Sequence, residues 1–164
     1  VAAMTSARLF NGPVEVGLRG LVLLVEAHPD ELDLQRLVTM DYFLVHSGDV
    51  AGGPQSLHPP SPLRAGEVAV RRGLLEEGLR LYRARGLVLQ CLSQEGIRYA
   101  AHDSAAAFLD ALSSTYVAQL RKRAEWIFDS LGLLDEHDLT SVLNDSLGHW
   151  RAEFAVLATE GDSE

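Results

Sequence analysis

Residues 47–66 set the strongest limit on the fold. They hold four glycines and four prolines, most of them in Gly52-Gly53-Pro54 and His58-Pro59-Pro60-Ser61-Pro62. Proline removes a backbone donor and fixes φ, and glycine resists regular structure, so no regular element is expected to cross this segment. A connection of about twenty residues is long inside a compact domain and marks either disorder or a working loop. The chain must therefore be read as helical pieces on either side of a break.

Residues 1–12 read as a lead-in. Asn11 or Gly12 can cap a first helix, Pro13 suits its first turn, and Glu15 faces the positive end of its dipole. Leu18, Leu21, Val22 and Val25 form its apolar stripe, ending near His28-Pro29. Asp33 is the expected N-cap of a second helix carrying Leu34, Leu37, Val38, Tyr42 and Val45, which stops around Ser47-Gly48. A third helix is predicted over 67–85. Val68, Leu75, Leu79 and Tyr82 lie on one side of it and Val70, Leu74 and Leu81 on another, so packing on two flanks is expected.

Residues 87–92 and 97–101 are short β-type runs around Ser93-Gln94-Glu95-Gly96, a hairpin whose turn needs the φ > 0 that Gly96 can supply. Gly86 is placed to end the third helix in a left-handed C′ conformation. Helical signals follow. Ser104 caps a short helix through Leu112, and Ser113 or Ser114 starts another bearing Tyr116, Leu120, Ile127 and Leu131. Asp135 and Asp138 then open a last helix with Leu139, Leu143, Leu147, Trp150, Phe154 and Leu157. Three helices followed by a hairpin is the order of a winged helix. The expected class is α+β and mostly α-helical: a winged-helix-like unit over 13–103 with its 47–66 loop, then a helical extension over 104–164 with an acidic tail. The loop departs from a helix-turn-helix, which uses a turn of about 3–4 residues.

Charge narrows the function. The net charge is −9, distributed as −4 over residues 1–62, +4 over 63–123 and −9 over 124–164. Phosphate neutralisation by Lys and Arg drives most non-specific nucleic-acid affinity, so such a chain is a poor stand-alone DNA binder. The longest apolar runs, residues 21–25 among them, are five residues and fall far short of the ~18–20 residues of a membrane span. A lone cysteine, Cys91, makes no internal disulfide, and the N-terminal residues lack a signal-peptide pattern. A cytoplasmic protein is expected.

Candidate sites each have a plain alternative. Arg72, Arg80 and Arg83 share one sector of the third helix, with Glu76 four residues from both Arg72 and Arg80, so a solvated ion-pair ladder explains them as well as DNA reading does. Arg121-Lys122-Arg123 point in different directions on a helix and form no single patch. His46, Asp49 and His58 have zinc-compatible chemistry but no fourth ligand, and His58 tethering the proline-rich loop is the simpler expectation. Cys91 is expected to be a small buried apolar residue. Trp126 and Trp150 suit a core or an interface. No phosphate loop, dinucleotide fingerprint, Gly-x-Ser-x-Gly or His-Glu-x-x-His is present. No catalytic, cofactor-binding or metal residue is assigned.

One ordered set of short stretches carries a resemblance. It runs Phe10-Asn11-Gly12-Pro13, Glu15-Val16-Gly17-Leu18-Arg19, Leu32-Asp33-Leu34-Gln35-Arg36-Leu37, Asp41-Tyr42, His46-Ser47-Gly48-Asp49 and Ser56-Leu57-His58-Pro59. It continues through Arg71-Arg72, Gly78-Leu79, Arg85-Gly86-Leu87, Gly96-Ile97-Arg98-Tyr99 and Arg123-Ala124-Glu125-Trp126. In this the chain resembles the middle components of ABC-three component systems, the Lamassu-like anti-phage modules. The resemblance implies a small non-catalytic adaptor between an ATPase of the SMC or Rad50 type and a toxic effector, often a nuclease. It implies DNA contact only within the complex, and neither a membrane nor a small-molecule substrate. It carries no catalytic residues to transfer.

The interface candidates are the 47–66 loop with His46, Asp49 and His58, the third helix with Arg71, Arg72 and Arg80, and the last helix with Trp150 and Phe154. Two competing readings are a winged-helix transcription regulator placing Arg71, Arg72 and Arg80 in the major groove, and a metal hydrolase built on His46, Asp49 and His58.

Overall fold

The structure, a computed structural model, describes residues 12–59 and 64–161. In chain order these form α1 (Pro13–Ala27), β1 (Leu32–Asp33), α2 (Leu34–Val45), a 3-10 turn (Ser47–Asp49), α3 (Arg64–Ala84), β2 (Val88–Ser93), β3 (Gly96–Ala101), α4 (Ala105–Asp110), α5 (Thr115–Leu131) and α6 (Glu136–Gly161). The class is α+β and mostly helical, as the periodicity predicts.

Local chemistry explains most boundaries. Pro13 opens α1 at a position where its missing N–H loses nothing. Asp33 caps α2, its Oδ1 accepting from the Arg36 N–H at 2.8 Å, and Asp135 does the same for the Asp138 N–H at 2.8 Å. Gly86 has φ +74° and turns the chain from α3 into β2. Ser104 and Ser114 hold the N-cap positions of α4 and α5 without donating or accepting a side-chain cap bond. α4 ends at Asp110, two residues short of the expected Leu112.

The core is built around α1 and α2. Val16, Leu21, Leu23, Leu24, Leu37, Met40, Phe43 and Leu44 are fully buried, as expected where helices are apolar nearly all round. α3 and α5 pack against both helices. Leu120, Ile127, Leu139 and Leu143 from α5 and α6 join the same buried cluster as Leu75 and Leu79 from α3.

The tightest approach is between α1 and α3. A Cβ on Gly17 would lie 2.8 Å from the Gly78 Cα, and one on Gly78 would lie 2.5 Å from the Pro13 carbonyl oxygen. Backbones meet there, and the Tyr82 hydroxyl donates to the Val14 carbonyl at 3.0 Å to close the same contact.

The sheet has the order β1-β3-β2, antiparallel throughout. β2 and β3 are the expected hairpin, and Gly96 has φ +119° at its turn. β1 is two residues long, pairs Leu32 with Tyr99 and Asp33 with Arg98, and was not foreseen from sequence.

Three other expectations need correction. α3 begins at Arg64, so the helix takes up the last residues of the 47–66 segment. The second flank of α3 is packed only in part: Leu74 is half-buried against the core, whereas Val70 is 65% and Leu81 39% exposed. Cys91 is only half-buried, near the outer end of β2.

Candidate functional site

Two charged residues inside apolar helices define the site. Arg19 of α1 and Asp41 of α2 are both fully buried. The Arg19 Nε donates to Asp41 Oδ1 at 2.6 Å and its Nη2 to Oδ2 at 3.1 Å, a bidentate pair. Arg71 of α3, also buried, donates to Asp41 Oδ2 through Nη1. One carboxylate thus ties three helices together. Burial alone would raise the Asp41 pKa, but the Arg19 and Arg71 guanidiniums outweigh it and hold it at about 2. Burial likewise pulls the Arg19 pKa down, and Asp41 more than restores it, so the net shift is upward.

The charge network extends to the loop. Arg19 also hydrogen-bonds to the Tyr116 side chain of α5, and the Tyr116 hydroxyl lies 2.6 Å from His58 Nε2. Arginine can only donate, so the tyrosine oxygen accepts from Arg19, and its own proton remains available for a bond to His58. That requires a neutral imidazole. Burial first, then the nearby Arg19, His46 and Arg71, push the His58 pKa down to about 4, which supplies one. The His58 and Tyr116 rings stack at 6.0 Å. Tyr42 extends the network on the other side, its hydroxyl donating to Asp49 Oδ2 at 2.6 Å and its ring lying 5.9 Å from the Arg71 guanidinium carbon.

Above this knot the loop is folded against the core. Leu57 and His58 both donate their N–H groups to the Val45 carbonyl at 3.0 Å. Ser47 Oγ donates to the Pro54 carbonyl at 2.9 Å, and the Gly48 N–H donates to Ser56 Oγ at 3.0 Å. Arg123 of α5 reaches the Gln55 carbonyl at 2.6 Å. A Cβ at Gly53 would sit 2.1 Å from the Ser47 carbonyl oxygen, so this crossing demands glycine. Through residue 59 the segment is an ordered clasp, with residues 60–63 outside the described chain.

The structure gathers some of the residues expected from sequence and separates others. His46, Asp49, His58 and Arg71 meet in the knot. His46 is buried, its ring 5.0 Å from Tyr42 and 6.3 Å from His58. The three zinc candidates do not converge: Asp49 accepts from Tyr42 and His58 bonds to Tyr116. Among the described residues, three potential ligand atoms come within 4.8 Å at Asp135, His137 and Asp138, all of them exposed.

Arg71 points inward and does not share a surface with Arg72 and Arg80. The Arg72–Glu76–Arg80 ladder is replaced by Arg72 donating to Gln35 at 3.1 Å and Arg80 lying 4.0 Å from Glu77. Arg121 pairs with Asp110 at 2.6 Å while Arg123 holds the loop, in line with their different directions on the helix. Trp126 packs half-buried against the core. The backbone of Trp150 and Phe154 continues α6, but their side chains lie outside the described residues. Cys91 has its thiol pKa raised, first by a hydrogen bond from the thiol to Glu31, which keeps it protonated and a poor nucleophile.

From sequence, Arg19 and Asp41 stand out only within the family-like stretches, and Tyr116 only as part of a helical stripe; none is expected there as a site residue. The available signal was a lone arginine and a lone aspartate inside otherwise apolar stretches of two successive helices.

The arrangement fixes geometry; its ionisable groups are turned on one another. A family description, ABC-three component (ABC-3C) system Middle Component 2, matches residues 9–153. No curated protein and no solved structure matches the chain. No helix among the described residues is long and apolar enough to cross a membrane.

Proposed function

The chain belongs to the Middle Component 2 family of ABC-three component anti-phage systems, and on that premise we propose that it is a non-catalytic adaptor. In this reading it bridges an SMC- or Rad50-like ABC ATPase and a toxic effector, in a Lamassu-like arrangement in the cytoplasm, and any DNA contact is made only within the assembly.

One observation carries the proposal: a few charged groups are buried against one another while several large apolar side chains face water. Arg19, Asp41, Arg71 and His58 are held inside the molecule, while Val70, Leu81, Leu89, Leu92 and Ile97 stand exposed on α3 and the hairpin. Buried, mutually satisfied charges offer no poised acid, base or nucleophile. Exposed apolar side chains lower the cost of leaving water when a partner covers them. The element order also supports the winged-helix reading, since a short strand between the first two helices joins the hairpin in a β1-β3-β2 sheet. The competing reading as a DNA-binding regulator loses Arg71, which is buried on Asp41.

The test is co-expression with the system's other components followed by size-exclusion chromatography. Co-elution through an interface on the order of 1,200 Å² or more is expected. A chain that elutes alone at physiological salt contradicts the proposal.

A further inference from the structure

The hairpin leaves one strand edge open. In the sheet order β1-β3-β2, β3 is paired on both sides and β2 on one. Ser93 and Gly96 close a two-residue turn, so they and the pairs Cys91–Arg98 and Leu89–Ala100 exchange hydrogen bonds across the ladder. The His102 N–H donating to the Leu87 carbonyl at 2.9 Å continues that parity. The N–H and C=O groups of Val88, Gln90 and Leu92 therefore point away from β3, and no backbone bond among the described residues uses them.

Proteins commonly guard such an edge with a lysine, a proline or a bulge. β2 reads Val-Leu-Gln-Cys-Leu-Ser, with no charge and no proline, and its register runs unbroken from Val88 to Ser93. A groove of about 520 Å³ lies along it, lined by Arg83, Val88, Leu89, Gln90, Leu92 and His102 among others. Leu92 is 77% and Leu89 45% exposed. In a chain of net charge −9, the described lining of this groove contains an arginine and a histidine and no carboxylate.

We propose that the open edge of β2 accepts an extended segment of a partner protein as a fourth strand. Two N–H and two C=O groups, on Gln90 and Leu92, supply the main-chain recognition, Val88 being buried at the inner end of the strand. Leu89 and Leu92 receive apolar side chains from the incoming strand, and Arg83 selects an acidic residue at its end. A second copy of this chain is a poorer occupant, because its own β2 edge carries the same cationic flank. The inference rests on the adaptor reading and gives it a docking site and a partner chemistry.

The test measures binding of the system's other components, co-expressed with this chain, to wild type, Gln90→Pro, the pair Leu89→Lys and Leu92→Lys, and Arg83→Glu. The Gln90 N–H lies outside the ladder, so Gln90→Pro keeps the hairpin while removing an outward donor. Binding is expected to weaken by about tenfold or more for Gln90→Pro and for the lysine pair, with the circular dichroism spectrum unchanged. Arg83→Glu should weaken binding and flatten its salt dependence. Should Gln90→Pro misfold, the lysine pair decides, because both side chains are already exposed.

Wild-type binding that survives both edge variants overturns the edge while leaving the adaptor reading intact. A wild-type chain that binds none of the components overturns both. A wild-type dimer that Gln90→Pro dissociates assigns the edge to a second copy and overturns the partner strand.

Discussion

The loop end and the hairpin end of this molecule treat polarity in opposite ways. At the loop end, Asp41 accepts from two arginines in the core, and Tyr116 passes the network on to His58. At the hairpin end, leucines and an isoleucine face water on a strand pair that extends past the core, Ile97 being 48% exposed. Replacing a buried ion pair with apolar residues is often neutral or stabilising, so the knot is not explained by stability alone. Its physical effect is geometric: a bidentate guanidinium–carboxylate pair tolerates one arrangement of α1, α2 and α3, and the loop inherits that arrangement through Tyr116 and His58. Among the described residues the hairpin end has no comparable buried ion pair. In the proposed reading, one end holds shape and the other offers contact.

That contrast can be broken by mutation, the severest case first. Asp41→Ala leaves Arg19 and Arg71 buried without their carboxylate, and a loss of about 3–5 kcal/mol of unfolding free energy is expected in urea titration. A loss below ~1 kcal/mol would mean that the knot does not hold the helices. Next, Gly78→Ala forces a methyl group into the α1 backbone and should cost about 1–3 kcal/mol by the same measurement. A neutral result would show that the two helices can separate freely.

The third case concerns pH. The folded-state pKa of His58, about 4, lies below its ordinary value of 6.5, so between those values the unfolded chain binds more protons. Stability should be fully present above pH 6.5 and decline as pH falls through 4, by about 2 kcal/mol once screening of a half-buried ring is allowed for. His58→Gln keeps an acceptor for Tyr116 without the titration, and its stability should stay flat across that window. The Asp41 contribution, set by a pKa of about 2 against 3.8, is lost only at still lower pH. Denaturant titrations of both proteins from pH 7 to 4 check the separation. The smallest expected effect is at the other end: Leu92→Ser should change stability by less than about 0.5 kcal/mol while weakening partner binding. A large stability loss there would remove the distinction between the two ends.

What could be read from sequence follows the range of the interactions. Pro13, Asp33, Asp135, Gly86 and Gly96 act on neighbouring residues, and each stands where its local chemistry places it. β1 was invisible because two residues have no periodicity, and Leu32 and Asp33 become a strand only when β3 offers an edge 65 or more positions later. The knot was half legible. His46, Asp49, His58 and Arg71 drew attention by residue type, but their partners Arg19, Asp41 and Tyr116 lie on other helices, and no spacing along the chain encodes those pairings. The expectation of two packed flanks on α3 held only at Leu74, because a helical stripe shows which residues share a face and not how far along it the core reaches.

Hydrogen exchange across the assembled system tests the central claim most directly. The backbone amides of Gln90 and Leu92 should exchange more slowly in the complex than in the free chain, with little change around Asp41 and Tyr42, whose burial is already complete. Protection confined to the loop and knot, with the β2 edge exchanging as freely as before, would contradict an adaptor that works through its hairpin.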